Sequence, residues 1–258
     1  MTFAGAVVDL DGTVYLDGDP IDGALEGLER LTSLPEGVWF VSNNPSHSPS
    51  EYVDRLDDIG IETRADRILS SGVVTTQYLA DAHAGDVVFV VGSDGLRRQL
   101  RNAGVALCET PGAADVLLAS WTTEFSYDDL VDAIRVLEDD VPFYGTDPDR
   151  TFPGDDGRPI PGSGAIIRSV AETAERDPDR IFGKPSDTMV EAIRERITGS
   201  PGEYLVIGDR LETDVALGER AGMTTVRVRT GTDGNSSGDV TPDYVLESLG
   251  DIETVLDG

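Results

Sequence analysis

Short apolar runs that each stop at a polar or glycine residue recur along this chain, with longer amphipathic stretches between them. That alternation limits the folds open to it. Residues 4–8 (AGAVV) run into Asp9, 38–41 (VWFV) into Ser42 and 86–91 (DVVFVV) into Gly92. Further on, 116–119 (VLLA) run into Ser120, 141–145 (VPFYG) into Thr146, 204–207 (YLVI) into Gly208, and 225–228 (TVRV) lead to Arg229. Short runs rich in β-branched residues, with helical patterns between them, predict βαβ units and a parallel sheet. The helical patterns are Leu25, Leu28 and Leu31; Leu130, Ile134 and Leu137; and Val190, Ile193 and Ile197. Ser48-Pro49-Ser50-Glu51 predicts a helix start, with Ser48 capping, Pro49 in the first turn and Glu51 returning to the Ser48 amide. The 258 residues suit one or two domains with a core that needs no staples.

Composition narrows the function classes. No apolar run approaches the roughly 18 residues of a membrane span, and MTFAGAVVDL has no basic stretch ahead of its apolar residues, so neither a membrane anchor nor a secretory signal is expected. The single cysteine, Cys108, allows no intrachain disulfide, which fits either a cytoplasmic location or indifference to redox, and reads as a small apolar residue. Two histidines, His47 and His83, exclude a His-rich metal site. A net charge of −29 repels phosphate backbones, so nucleic acid is not an expected partner. The basic residues are nineteen arginines and one lysine, Lys184. Acidic excess with lysine almost purged resembles proteins adapted to molar salt, where a Debye length of about 3 Å screens self-repulsion. In such a composition the surviving lysine draws attention.

Four strand ends gather polar residues, and ligands of open α/β sheets bind outside the carboxyl ends of the strands. The first is Asp9-Leu10-Asp11-Gly12-Thr13. Residues two apart on an extended chain face the same way, so Asp9 and Asp11 share a site. Paired carboxylates repel unless one is protonated or a cation lies between them; a solvated acidic turn is the plainer reading of such a pair alone. The second is Ser42-Asn43-Asn44-Pro45, where a hydroxyl and backbone amides offer an anion site. The third is Ile181-Phe182-Gly183-Lys184-Pro185-Ser186, with a helix starting at Ser186 or Asp187. The fourth is Gly208-Asp209-Arg210-Leu211-Glu212-Thr213-Asp214. Carboxylates and water oxygens together suit Mg²⁺.

In this order, DLDGTVY, VSNNP, FGKP and GDRLETD, with PGSGAI upstream of the lysine, resemble the haloacid dehalogenase-like hydrolase superfamily. The specific forms are similar to its subclass IIA, which includes NagD and the 4-nitrophenyl phosphatases. Arg210 departs from the asparagine common after the Gly-Asp of the last motif. The resemblance implies an α/β fold: a Rossmann-like parallel-sheet core formed by 1–83 and 179–258, with an inserted α/β cap domain of the C2 type at 84–178. It also implies a Mg²⁺-dependent phosphatase acting on small phosphomonoesters such as a sugar phosphate or nucleoside monophosphate. In that mechanism Asp9 is the nucleophile, forming an aspartyl-phosphate, and Asp11 is the general acid and then base. Asp9, the Asp11 carbonyl and Asp209 hold the metal. Ser42 and the Asn43 amide grip the phosphoryl oxygens, and Lys184 neutralises developing charge. Asn44 supports that loop. Asp214 either orients Lys184 or a metal-bound water, or is a charge placed at a helix N-terminus.

Ser42 and Lys184 are separated by 141 residues, far more than one crossover needs. The runs at 86–91, 116–119 and 141–145 would build the cap domain, which in this resemblance closes over the site and reads the leaving group. Thr146, just before the Pro/Gly/Asp-rich loop 147–164, and Asp147, Arg150 and Phe152 on it are candidates for substrate contact. A second such loop, 230–238, is expected to be mobile. Pairing through the cap into a homodimer or larger assembly is a further expectation. Two rival functions stay open: a phosphotransferase on the same scaffold, and a non-catalytic metal- or phosphate-binding module. Gly92-Ser93-Asp94-Gly95 is not GxGxxG and reads as an ordinary βα turn; His47 reads as structural or exposed.

Overall fold

The apolar run at 4–8 becomes the strand Gly5–Asp9, every residue of which is buried. A computed structural model describes residues 3–154, 158–231 and 240–258 of the chain. Most of the loop expected to be mobile, from 232 onward, lies outside the described residues. The chain divides into two units: Met1–Ser42, Pro49–Leu69 and Lys184–Gly258 in the first, Asn43–Ser48 and Ser70–Gly183 in the second. The expected insert, 84–178, falls inside the second unit, which also takes in the helix Ser71–Ala82 and the strand Arg180–Ile181.

In the first unit six strands form one sheet in the order Tyr244–Leu246, Thr224–Val228, Tyr204–Gly208, Gly5–Asp9, Gly37–Ser42, Ile68–Ser70. Gly5–Asp9 pairs in parallel with Gly37–Ser42 on one side and Tyr204–Gly208 on the other. Counted along the chain the order is 3-2-1-4-5-6, the doubly wound arrangement whose direction reverses between its first and fourth strands. The strands Gly5–Asp9 and Tyr204–Gly208 flank that reversal, so Asp9 and Asp209 come to its rim.

Apolar residues of the strands and flanking helices, among them Val8, Leu10, Phe40, Ile207 and Val226, form the core of this unit. The helix Ala24–Thr32 buries Leu28 and Leu31 against it, each worth about 1.5–3 kcal/mol. Leu25 does not share that face: it is among the exposed large apolar residues. A strict spacing of three drifts off a 3.6-residue stripe, and Ala24 and Gly27 take the inward positions instead. A Cβ at Gly27 would meet the Leu249 carbonyl oxygen at 2.2 Å, so glycine is required there. The helix after Lys184 runs Asp187–Arg194, capped by Ser186, whose hydroxyl accepts from the Met189 amide at 3.1 Å. It buries Val190 and Ile193 and ends before Ile197.

The second unit has its own five-stranded sheet, ordered Ala106–Cys108, Val87–Val91, Val116–Ala119, Phe143–Gly145, Arg180–Ile181, with all neighbours parallel. Counted along the chain this is 2-1-3-4-5. Phe89, Leu117, Phe143, Ile167 and Val170 belong to its separate core. The helix Tyr127–Leu137 starts at a capping box in which Ser126 and Asp129 satisfy one another's backbone amides. The segment 147–164 is not a plain loop: Thr151–Pro153 and Pro159–Pro161 pair antiparallel as a two-stranded hairpin, outside the main sheet. Prolines are tolerated there because a two-stranded edge leaves backbone positions that need no N–H donor.

Candidate active site

At the switch point of the first unit, one lysine stands among three buried carboxylates. Lys184 Nζ donates to Asp9 Oδ1, and to Asp214 Oδ1 at 2.6 Å. Asp9, Asp209 and Asp214 each offer a carboxylate oxygen, all within 4.8 Å of one another. Each comes from a different place in the chain: the end of Gly5–Asp9, the residue after Tyr204–Gly208, and the π-helical turn Leu211–Val215 that leads into the helix Ala216–Ala221. Such π turns are frequent at functional sites.

Asp214 is fixed from several sides. Its Oδ2 accepts from the Arg210 amide at 3.1 Å and from Thr213 Oγ1 at 3.4 Å. A Cβ at Gly208 would fall 2.3 Å from its carboxyl carbon, so the strand end must be glycine. Asp209 is hemmed in likewise: Cβ atoms at Gly12 and Gly231 would lie 2.9 and 1.8 Å from its Oδ2. Gly12 also has φ +86°, the left-handed region that turns the chain sharply after Asp11. Thr230 Oγ1 donates to the Gly12 carbonyl at 2.6 Å and ties that turn down.

The electrostatics are those of crowded negative charge. Burial pushes the Asp9 carboxyl well above the usual carboxylate range, Asp214 adds to the shift, and Lys184 pulls it back. Burial and Asp214 push Asp209 up to about 7, against Arg210 and Lys184. Burial alone would lower the Lys184 ammonium, yet Asp214 and Asp9 outweigh it and hold it above its usual value. A buried, all-oxygen cluster carrying more negative charge than its one lysine balances fits a hard divalent cation.

Asp11 as a whole residue is exposed, but burial of its carboxyl raises that group despite the nearby Arg55 and Lys184 charges and the Ser42 hydroxyl. Ser42 is buried; its hydroxyl lies 3.5 Å from Asp11 Oδ2 and accepts from Tyr52 Oη at 3.1 Å.

Family models match residues 6–106 as a haloacid dehalogenase-like hydrolase and 181–252 as HAD-hydrolase-like. Over 250 residues the chain is 35% identical to the sugar-phosphatase AraL of Bacillus subtilis, covering 96% of this chain and 92% of that protein. The chain belongs to the haloacid dehalogenase-like hydrolases. It is also 35% identical to chronophin of Bos taurus over 271 residues, 96% of this chain and 91% of the relative. The p-nitrophenyl phosphatase of Archaeoglobus fulgidus superposes with a TM-score of 0.90 at 31% identity, covering 99% of this chain and all of the other. Within the haloacid dehalogenase-like family the chain falls with the NagD and 4-nitrophenyl phosphatase proteins. Its α/β fold with a Rossmann-like core is theirs.

The remaining residues singled out in the sequence lie in the second unit. Asn43 follows Ser42 directly, and its carbonyl accepts from Ser71 Oγ at 2.7 Å. Asn44 Oδ1 accepts from the Ser46 amide at 2.9 Å, a local turn. Thr146 and Asp147 are buried in a chain of hydroxyls: Ser120 and Thr146 bond at 2.8 Å, and Thr146 Oγ1 donates to Asp147 Oδ2 at 3.0 Å. Arg150 is exposed, and Phe152 sits on the hairpin. A Cβ at Gly183 would be 2.6 Å from Asn43 Oδ1 and 2.7 Å from Asp147 Cβ, so that glycine brings three separated segments together.

Sequence reasoning passed over Tyr52. It lies on the helix Pro49–Asp58, ten residues after Ser42, fully buried with its hydroxyl on Ser42. The available signal was a tyrosine on the inward face of the helix that follows the Ser42 loop.

Proposed function

We propose that this protein is a Mg²⁺-dependent phosphatase of small phosphomonoesters, working through an aspartyl-phosphate on Asp9. The observation that carries this reading is the switch-point cluster, in which Asp9 is held by the only lysine of the chain beside two further buried carboxylates. The names of its relatives, a sugar-phosphatase and a p-nitrophenyl phosphatase, support it.

An Asp9 carboxylate oxygen attacks phosphorus in line with the ester oxygen. The P–O bond to the leaving alcohol breaks, and Asp11 gives that oxygen its proton. Asp11, now anionic, takes a proton from water, whose oxygen attacks the phosphoryl group and releases inorganic phosphate and the Asp9 carboxylate. Ser42 and the adjoining Asn43 amide hold phosphoryl oxygens, and Lys184 offsets their charge. Asp214 holds Lys184 in place. The carboxylates of Asp9 and Asp209 and the Asp11 carbonyl would hold Mg²⁺, which supplies electrostatic stabilisation of the phosphoryl oxygens. Thr146, Asp147, Arg150 and Phe152 are the candidates for choosing among leaving groups. The charge composition is an adaptation to high salt.

Phosphate release from a panel of sugar phosphates, nucleoside monophosphates and nitrophenyl phosphate, with Mg²⁺ and with EDTA, tests the reading. Mg²⁺-dependent release that disappears in Asp9→Asn is expected. A folded protein that binds Mg²⁺ and releases no phosphate overturns it in favour of a phosphotransferase or a non-catalytic binder.

A further inference from the structure

The second unit carries a cleft of about 560 Å³ lined by residues 92–95 and 121–124, the segments that follow the strands Val87–Val91 and Val116–Ala119. These strands are neighbours, yet from Val87–Val91 the chain goes to Ala106–Cys108 on one side and returns to Val116–Ala119 on the other. The two following loops therefore diverge. In a 2-1-3-4-5 parallel sheet the crevice between strands 1 and 3, at their carboxyl ends, is where ligands bind. The turn Gly92-Ser93-Asp94-Gly95, which the sequence alone marked as ordinary, forms one wall.

The chemistry of the walls narrows the ligand. Trp121 lines the cleft, and its ring meets Phe152 edge-on at 5.5 Å and 76°, which fixes its orientation. Asp94 and Glu124 also line it. Arg97 donates to the Val90 and Gly92 carbonyls, and Arg101 faces Glu109 at 3.5 Å. The cleft thus sets carboxylate acceptors and guanidinium donors around an indole. A phosphate would be repelled by Asp94 and Glu124. Glu109 and Asp129 line the cleft too, but Glu109 faces Arg101 and Asp129 is engaged by the Ser126 amide and hydroxyl; an ammonium ion would meet the Arg97 and Arg101 charges and could accept from neither. A hydroxyl group donates and accepts at once, and the C–H face of a sugar ring stacks on an indole.

We propose that this cleft binds a small neutral polyhydroxylated molecule, a free sugar or polyol without phosphate, against Trp121. The site goes beyond the phosphatase reading: its lining residues all belong to the second unit, and none is in the Asp9 cluster.

The chain has two tryptophans, so Trp39→Phe leaves Trp121 as the sole indole reporter. Among the described residues the buried Trp39 Nε1 has no hydrogen-bond partner, so the substitution removes no bond seen there. The variant would be titrated, without Mg²⁺, with glucose, ribose, N-acetylglucosamine and sorbitol, and separately with inorganic phosphate and ethylammonium. A saturable change in Trp121 emission with a neutral sugar or polyol is expected, with half-saturation on the order of 0.1–10 mM. Adding Asp94→Asn should weaken it by about tenfold. Saturation-transfer NMR of the same sugars on the unaltered protein carries the test should Trp39→Phe fail to fold. No saturable binding of any neutral sugar or polyol to folded protein, or binding of phosphate or ethylammonium alone, overturns the proposal. Because the readout is binding without metal, its failure is separate from failure of the phosphatase reading.

Discussion

Lys184 donates to Asp214 across 2.6 Å and on its other side to Asp9, so the one lysine of the chain bridges two buried carboxylates. On the proposed mechanism Asp214 acts through Lys184, as a positioning residue. Asp214→Asn should lower kcat by about 10–100-fold, the usual cost of losing such a support. KM for nitrophenyl phosphate should change less. Lys184→Met removes the shared cation and leaves two buried charges uncompensated, so it should cost roughly 3–5 kcal/mol in urea unfolding. Equal stability of Lys184→Met and the unaltered protein would refute the bridging role.

Asp11 has its carboxyl raised by burial while the residue as a whole reaches solvent, a combination suited to giving a proton and taking one back. Asp11→Asn should slow turnover by about 10²–10⁴-fold on alkyl phosphates. The loss should be smaller on nitrophenyl phosphate, whose leaving group needs less protonation. Equal losses on both substrates, measured as kcat/KM, would remove Asp11 from the acid role.

Gly208 is required by contact rather than by backbone conformation, since an added Cβ meets Asp214 at 2.3 Å while its φ is not positive. Gly208→Ala should therefore cost about 1–3 kcal/mol from overpacking and reduce turnover by displacing Asp214. Gly112→Ala is the control, with nothing within 4 Å of the new methyl group. It should stay within about 0.5 kcal/mol of the unaltered protein. Thermal melts and initial rates of the two variants decide the point.

The strands that sequence made legible are the inner ones. Runs such as 4–8 and 116–119 are short, but they become strands buried on both faces, so their apolar character is continuous. Among the strands it missed are Ile68–Ser70, Ala106–Cys108 and Tyr244–Leu246, three of the four edges of the two main sheets; the fourth edge, Arg180–Ile181, was read only as the strand end before Lys184. Edge strands are short and need bury only part of their surface, which leaves a weak pattern. The proline-bearing hairpin at 151–161 was hidden for a related reason, because proline signals a loop more strongly than an isolated ribbon signals a strand. Asp9, Lys184 and Asp209 were legible because each follows or precedes an apolar run at a sharp boundary. Tyr52 and the Trp121 cleft were not: their partners are set by which helix face turns inward and by the order of strands in a sheet, and both are tertiary facts.

The net charge of −29 makes stability depend on salt. The Debye length falls from about 30 Å at ~0.01 M to about 3 Å at ~1 M, so self-repulsion of the folded chain is largely removed at the higher concentration. The melting temperature should rise substantially between those concentrations of KCl. A cooperative melt at the same temperature in both would refute salt adaptation.

Asp147 gives a pH signature independent of the Asp9 cluster. It is buried in the second unit, and burial, with the Asp149 charge adding, pushes its carboxyl up to about 8 against the hydrogen bonds from Ser163 and Thr146. In the unfolded chain the same carboxyl titrates near 3.9. The folded state therefore holds a proton that the unfolded state has released. The stability this group contributes is fully present below about pH 4. It is lost progressively as pH rises, until the folded carboxyl too has ionised near 8. Other buried carboxylates share that sign, so the informative quantity is a difference. Asp147→Asn keeps the volume and stays neutral throughout, so the gap in unfolding free energy between it and the unaltered protein should shift in its favour from pH 4 to pH 8. Urea melts of both proteins at intervals across that range measure the gap. A constant gap would mean that Asp147 titrates alike folded and unfolded, and that its hydrogen bonds from Thr146 and Ser163 hold it ionised.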